Sequence, residues 1–504
     1  MVSLQRRLLP KQWPPILLLL SAITIGLLIG ILPLREAILV ILGVSLFLLA
    51  LVQPLIARSL VLLAGPLGAV ENLRLGAALP TSSQLLFLLT VCLWLGYGAV
   101  RRQIFIPRTP INLVLILFIT LGAASLINAP SLRLGLKEEI KWLELLLTML
   151  MVTDLALNWR TTQYQRHLNS SKRRLGVDTR WILAMLLVAG ISQALLGIWQ
   201  FGLSGDGPDH FLILERFYRA FGTFQQPNPF GGFMGISASL AIGALIGTGM
   251  SLISDLRNGR RWVARDWLWL IFLMFASITT GLALIMSWSR GAWLGFAAGM
   301  LVMVFFLPKK RWKGILLLAL GLIAAIMMVR LSLVPTSITG RLTTIGEDLK
   351  FGDVRGEHVT IENFAVIERL AHWQAGIEMA QDNLLLGVGF GNYEVAYEDY
   401  GLLNWVNPLG HAHNYYINIL AETGILGTIA YLAFWAIVFV QVVQLLKILD
   451  WSERGIALGL LTAWTALAVH HLFDKLYVNN LYLYIGVMLA LQQTIYLKYD
   501  RTVR

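Results

Sequence analysis

The chain has 504 residues, of which 57% are hydrophobic and only 13% charged, with a mean hydropathy of +0.70. A soluble domain needs far more polar surface, so the composition predicts a polytopic membrane protein. The net charge of +12 then reads as a topological signal rather than a nucleic-acid footprint, and the lone Cys92 excludes a disulfide framework or a cysteine-based metal site within one chain.

The N-terminal MVSLQRRLLPKQW is basic and leads into an apolar stretch longer than a signal-peptide core, which predicts a retained first helix. Apolar segments of spanning length follow at about 14–33, 36–52, 54–72, 83–100, 110–127, 139–157, 181–201, 227–250, 267–288, 291–307, 314–334, 415–445, 456–474 and 478–497. The third is short and holds Arg58 and Pro66. The expected architecture is therefore an all-α polytopic membrane protein with about 12–14 crossings and a long, partly helical outer loop. It divides into N-terminal crossings (1–180), central crossings (181–334), the loop (335–413) and C-terminal crossings (414–504).

Lysine and arginine orient it. The segments 101–108, 158–180, 253–266, 308–313 and the C-terminal KYDRTVR are basic, and all lie on one side if the crossings between them are even in number. That side is cytoplasmic, and so are both termini. The opposite side holds 202–226 and 335–413, and the longer loop carries four basic against eleven acidic residues. Within it, Phe364, Ile367, Leu370, Trp373 (or Gln374) and Ile377 recur at helical spacing, which predicts an amphipathic helix. The glycines of GVGFGN at 387–392 predict turns; GxGxG without a βαβ context is not a nucleotide fingerprint.

Titratable groups gather at the outer rim. The EEIK run at 138–141 and the basic loops need no more than a topological explanation. Arg216 and Arg219 stand in ERFYRAFGTFQQPNPFGG, just before a crossing, and Arg290 stands in MSWSRGAWLGF, at a hairpin with almost no loop. Outer-side arginines at helix ends run against topology, and a guanidinium offers planar, permanent donors suited to phosphate. In LGHAHNYYINILAETGILG, at 409–427, His411, His413 and Asn414 precede an apolar run. As a metal site the pair is weak, because i and i+2 share a face only on a strand and a third ligand such as His471 must come from elsewhere. As a general base, a histidine at a polar mouth accepts a hydroxyl proton while the asparagine fixes geometry. In HHLFDKLY at 470–477, His471 and Asp474 are candidates for lining the same cavity, though a helix cap and surface polar groups explain them more simply.

These motifs, in this order, resemble the O-antigen ligase and polymerase superfamily of membrane glycosyltransferases. They are Arg219 before Gly222-Thr223-Phe224 and Pro227-Asn228; Ser287 to Ala292; Arg369 with Trp373; Gly387 to Asn392; and His413-Asn414 before Glu422 to Gly427. The resemblance spans about 180 to 445. It implies transfer of a glycan from a polyprenyl pyrophosphate carrier to an acceptor glycan, glycolipid or glycoprotein, at the outer face of the cytoplasmic (inner) membrane, without metal or cofactor and with inversion if the attack is direct. It implies His413 as catalytic base and Arg219 and Arg290 as pyrophosphate ligands. Arg216, Asn228, Ser289, Arg369, His411, Asn414 and His471 are supporting candidates. A secondary transporter of a small anion such as bicarbonate is the alternative; it predicts broken or polar helices near mid-membrane.

Overall fold

A computed structural model describes residues 82–158, 176–333 and 352–503, apart from 103, 105, 361 and 362, together with Leu62 and Gly65. The expected crossings at 14–33, 36–52 and 54–72, the retained first helix and most of the basic 158–180 loop lie outside these residues. Thirteen α-helices are described. They are α1 (Ser82–Arg101), α2 (Pro110–Ser125), α3 (Leu132–Asn158), α4 (Gly176–Gly202), α5 (Pro227–Arg257), α6 (Ala264–Met286), α7 (Arg290–Phe306) and α8 (Arg311–Arg330). The long loop holds α9 (Phe364–Asp382) and α10 (Tyr393–Tyr400), and after it come α11 (Tyr415–Ile448), α12 (Trp451–His470) and α13 (Leu481–Val503). The molecule is an all-α polytopic membrane protein: seven of these helices (α1, α2, α4, α5, α6, α8 and α11) are long and apolar enough to cross a bilayer. A two-stranded ribbon, Leu212–Ile213 with Phe217–Tyr218, interrupts the helices before α5.

Small residues let the central helices touch backbone to backbone. A Cβ on Gly459 or Gly455 of α12 would strike the backbone of α5 (Leu240 Cα at 3.0 Å, Gly247 Cα at 2.5 Å). Among apolar helices this close packing replaces the hydrophobic drive available in water. Several interior polar groups are paired between helices, as bilayer burial favours: Trp94 Nε1 donates to Asp154 Oδ2 (2.7 Å), Tyr482 Oη to Glu144 Oε2 (2.6 Å) and Trp464 Nε1 to Gln492 Oε1 (2.8 Å).

The long loop packs onto the bundle through α9, whose buried residues include Ile367, Leu370, Ala371, His372, Trp373, Ala375, Met379 and Ala380. Phe364 and Ile377, expected on the apolar stripe, are exposed. The buried face is rotated because the helix beds on α11 and on the aromatic α10, not on a flat lipid surface.

Beyond α9 the chain enters the bundle itself. Helix α11 breaks at Gly424 (φ 62°, ψ −167°), and the segment before GVGFGN fills the break. Ile425 N donates to Leu384 O (2.8 Å), Val388 N to Ala421 O (2.9 Å) and Gly389 N to Glu422 O (3.0 Å). Gly387 and Gly389 are at φ 70° and 105°, and a Cβ there would lie 2.4 Å from Glu422 C and 2.6 Å from Ala129 Cα. Only glycine fits both conditions.

Candidate functional site at one end of the bundle

Upstream of α11 the backbone turns through two left-handed residues, Leu409 (φ 48°) and Gly410 (φ 78°), and again at His413 (φ 51°). That last turn folds two imidazoles separated by one residue onto each other, with ring centroids 4.4 Å apart. His411 Nδ1 accepts the backbone N–H of His413 (3.0 Å), and its Nε2 faces Asp474 Oδ1 at 3.5 Å. Ligand atoms of His411, His413 and Asp474 all lie within 4.8 Å of one another. The expectation that an i, i+2 pair diverges does not hold, because this stretch is neither strand nor helix. The third partner is Asp474 rather than His471. Asn414 caps α11, its Oδ1 accepting from Tyr416 N (3.0 Å) and Ile417 N (3.3 Å).

Burial pushes His413 down to about 3, with His411 and Arg369 adding to the effect and Asp474 opposing it. Burial likewise takes His411 to about 3 and His372 to about 4. All three imidazoles are therefore neutral at physiological pH.

The arginines approach from the other side. Gln200 and Gln193 of α4 hold the G-T-F turn: Gly222 N donates to Gln200 Oε1 (2.7 Å) and Thr223 N to Gln193 Oε1 (3.0 Å). This turn sets Arg219, half-buried, against the end of α6, where its Nε donates to Ser287 O (3.1 Å) and its Nη2 to Asn228 Oδ1 (3.2 Å). Ser289 caps α7 and is buried, so Arg290, half-buried, is that helix's first residue. A Cβ on the next residue, Gly291, would meet Phe473 Cβ at 3.1 Å, immediately before Asp474. Arg219 at the end of α6, Arg290 at the start of α7 and His413 at the start of α11 thus stand at helix termini at one end of the bundle. Arg369 of α9 is close enough for its charge to act on His413. Arg216 stands apart: it is exposed on the ribbon and lies over the Phe217 ring at 5.3 Å. His471 is buried, 4.9 Å from the Tyr415 ring, and its carbonyl accepts Tyr415 N (2.8 Å). It anchors the start of α11 rather than joining the His411–Asp474 group.

Sequence reasoning passed over three residues here, His372, His470 and Lys475. His372 packs between Tyr393 and Tyr397, 5.9 Å from the His413 ring. His470 is buried with neither ring nitrogen hydrogen-bonded among the described residues. Lys475 is buried and its Nζ pairs with Glu138 Oε1 at 3.0 Å, so the first glutamate of the EEIK run belongs to this end of the bundle and is more than a topological mark. The signal available was the placement of these charges beside apolar runs, which costs energy unless they are paired.

No curated protein matches the chain. Residues 275–432, about a third of its length, match the family model described as O-antigen ligase. That region takes in the Ser287–Ala292 hairpin, α9, the GVGFGN segment and His413, whereas Arg219, Asn228, His471 and Asp474 fall outside it. Over that stretch the chain is similar to O-antigen ligases.

Proposed function

We propose that the chain transfers a glycan from a polyprenyl pyrophosphate carrier to an acceptor hydroxyl at the outer face of the cytoplasmic membrane. What supports this reading is the placement of Arg219, Arg290 and His413 at helix termini at the same end of the bundle, the two guanidiniums half-buried and the imidazole neutral. The acceptor hydroxyl gives its proton to His413 while its oxygen attacks the anomeric carbon. The bond from that carbon to the phosphate oxygen breaks, and the polyprenyl diphosphate leaves with the electron pair. Direct attack inverts the anomeric centre. The arginines stabilise the charge gained by the leaving group, a contribution worth a few kcal/mol at a preorganised site.

His411, His413 and Asp474 are spaced as a cation site is. Yet His411 Nδ1 is engaged by the His413 N–H, which leaves its one proton on Nε2, facing Asp474. A metal would have to displace this arrangement, so the reading is metal-independent. The transporter alternative expects a broken helix lining a cavity, whereas the break in α11 is filled by loop backbone.

The test is transfer by purified protein from a polyprenyl diphosphate oligosaccharide to candidate acceptors, with and without EDTA. His413→Ala is expected to abolish product while the protein stays folded, and chelation is expected to have no effect. Full transfer by His413→Ala overturns the base assignment, and loss of activity on chelation overturns metal independence.

A further inference from the structure

His413 occupies the left-handed region that side-chain-bearing residues rarely adopt. Three contacts define the turn that places it there. His411 Nδ1 accepts the His413 N–H (3.0 Å), Asn418 Oδ1 accepts the Ala412 N–H (3.1 Å), and Asn414 caps the helix that follows. The first of these is the geometry of an Asx turn, with an imidazole nitrogen in place of an Asp or Asn oxygen. Its second nitrogen points the other way, to Asp474 at the end of α12. The ring thus ties the start of α11 to the connection after α12, with its proton fixed on Nε2.

We propose that His411 is a positioning residue: its Nδ1 holds the left-handed backbone of His413 and so aims the His413 ring, and His411 itself exchanges no proton with substrate. This rests on the transferase reading above for its consequence in catalysis, but the backbone hydrogen bond is measurable without it. Three replacements separate the ring's two contacts. Asparagine keeps the acceptor for the His413 N–H and loses the reach to Asp474. Glutamine keeps a donor toward Asp474 and loses the turn. Alanine loses both.

The experiment uses the full chain in nanodiscs, with amide hydrogen exchange at His413 as one readout and kcat and KM for a polyprenyl diphosphate oligosaccharide as the other. His411→Asn is expected to keep the His413 amide protected and kcat within about 10-fold of the parent. His411→Gln and His411→Ala are expected to lose that protection. Their kcat falls roughly 100-fold with KM little changed, as misplacing a reacting group by about 1 Å does. A His411→Asn variant with a protected amide but alanine-like kcat overturns the proposal, because the imidazole itself would then be needed. Retention of activity by His411→Gln overturns it in favour of the Asp474 contact. If His413→Ala turns over normally, the transferase role of His413 fails while the exchange result still judges the turn.

Discussion

At the residue scale, the decisive feature is that titratable groups at one end of the bundle have their states set by burial. His413, His411 and His372 are held to about 3, 3 and 4 against an ordinary value near 6.5. An unfolded chain binds these protons below about pH 6.5 and the folded one does not, so stability is flat above that pH and falls as pH drops from 6.5 toward 4. Thermal midpoints in detergent at pH 7.5, 5.5 and 4.5 are expected to decline in that order. His372→Phe is expected to decline less, since its Tyr393 neighbour keeps the backbone acceptor at residue 372. For the same reason the acid limb of kcat/KM is expected below pH 6.5, where an unperturbed histidine base would already be lost. Arg219→Ala is expected to cost about 100-fold or more in kcat, in the range of removing one oxyanion donor. Arg219→Lys is expected to recover only part of it, because the guanidinium bonds Ser287 O and Asn228 Oδ1 through different nitrogens. Asn414, expected to fix the geometry of the base, instead caps α11, and the meeting of His411 with His413 depends on a left-handed turn with no sequence mark.

At the element scale, the motifs that looked separate in the chain prove to be halves of one structure. The E-T-G-I-L-G stretch is where α11 breaks, and the stretch leading into GVGFGN is the backbone that enters the break. Glycines at 387 and 389 were legible as turn residues. Their partners, Glu422 and Ala129, were not, because close approach between distant segments leaves no periodic trace. Gly387→Ala places a Cβ 2.4 Å from a backbone carbon at a positive φ, and is expected to destabilise the fold by roughly 2 kcal/mol or more. Limited proteolysis within 383–392 and a lowered thermal midpoint would report it. Gly352→Ala, which has open space around it, is expected to do neither. Helix α9 was legible as a helix, but its buried face was displaced by its actual bed, the aromatic side chains of α10 and side chains of α11 such as Ile417.

At the scale of the whole molecule, the two ends of the bundle differ in character. One carries the buried His411–Asp474 and Glu138–Lys475 contacts. The other gathers basic groups, with Arg454 Nη2 donating to Phe306 O (2.8 Å) and Arg311 Nη1 to the same carbonyl (3.2 Å). On the positive-inside rule the second end is the one expected to face the cytoplasm, which labelling tests. In a Cys92→Ser background, which removes the chain's exposed native thiol, Leu403→Cys is expected to react with an impermeant maleimide in intact spheroplasts; Leu403 is 94% exposed. Lys310→Cys is expected to react only after permeabilisation. The reverse pattern would place the proposed sugar transfer on the cytoplasmic face.

The sequence by itself determined the helical membrane architecture and the positions of the seven spanning-length helices. These follow from hydropathy, charge bias and turn chemistry, which act over a few neighbouring residues. Only the tertiary structure decided that His411 and His413 fold together against Asp474, that Arg216 faces away, that His471 serves the start of α11, and that Glu138 meets Lys475. Each of these is a contact between segments far apart in the chain or a single left-handed residue, and local pattern carries no information about either.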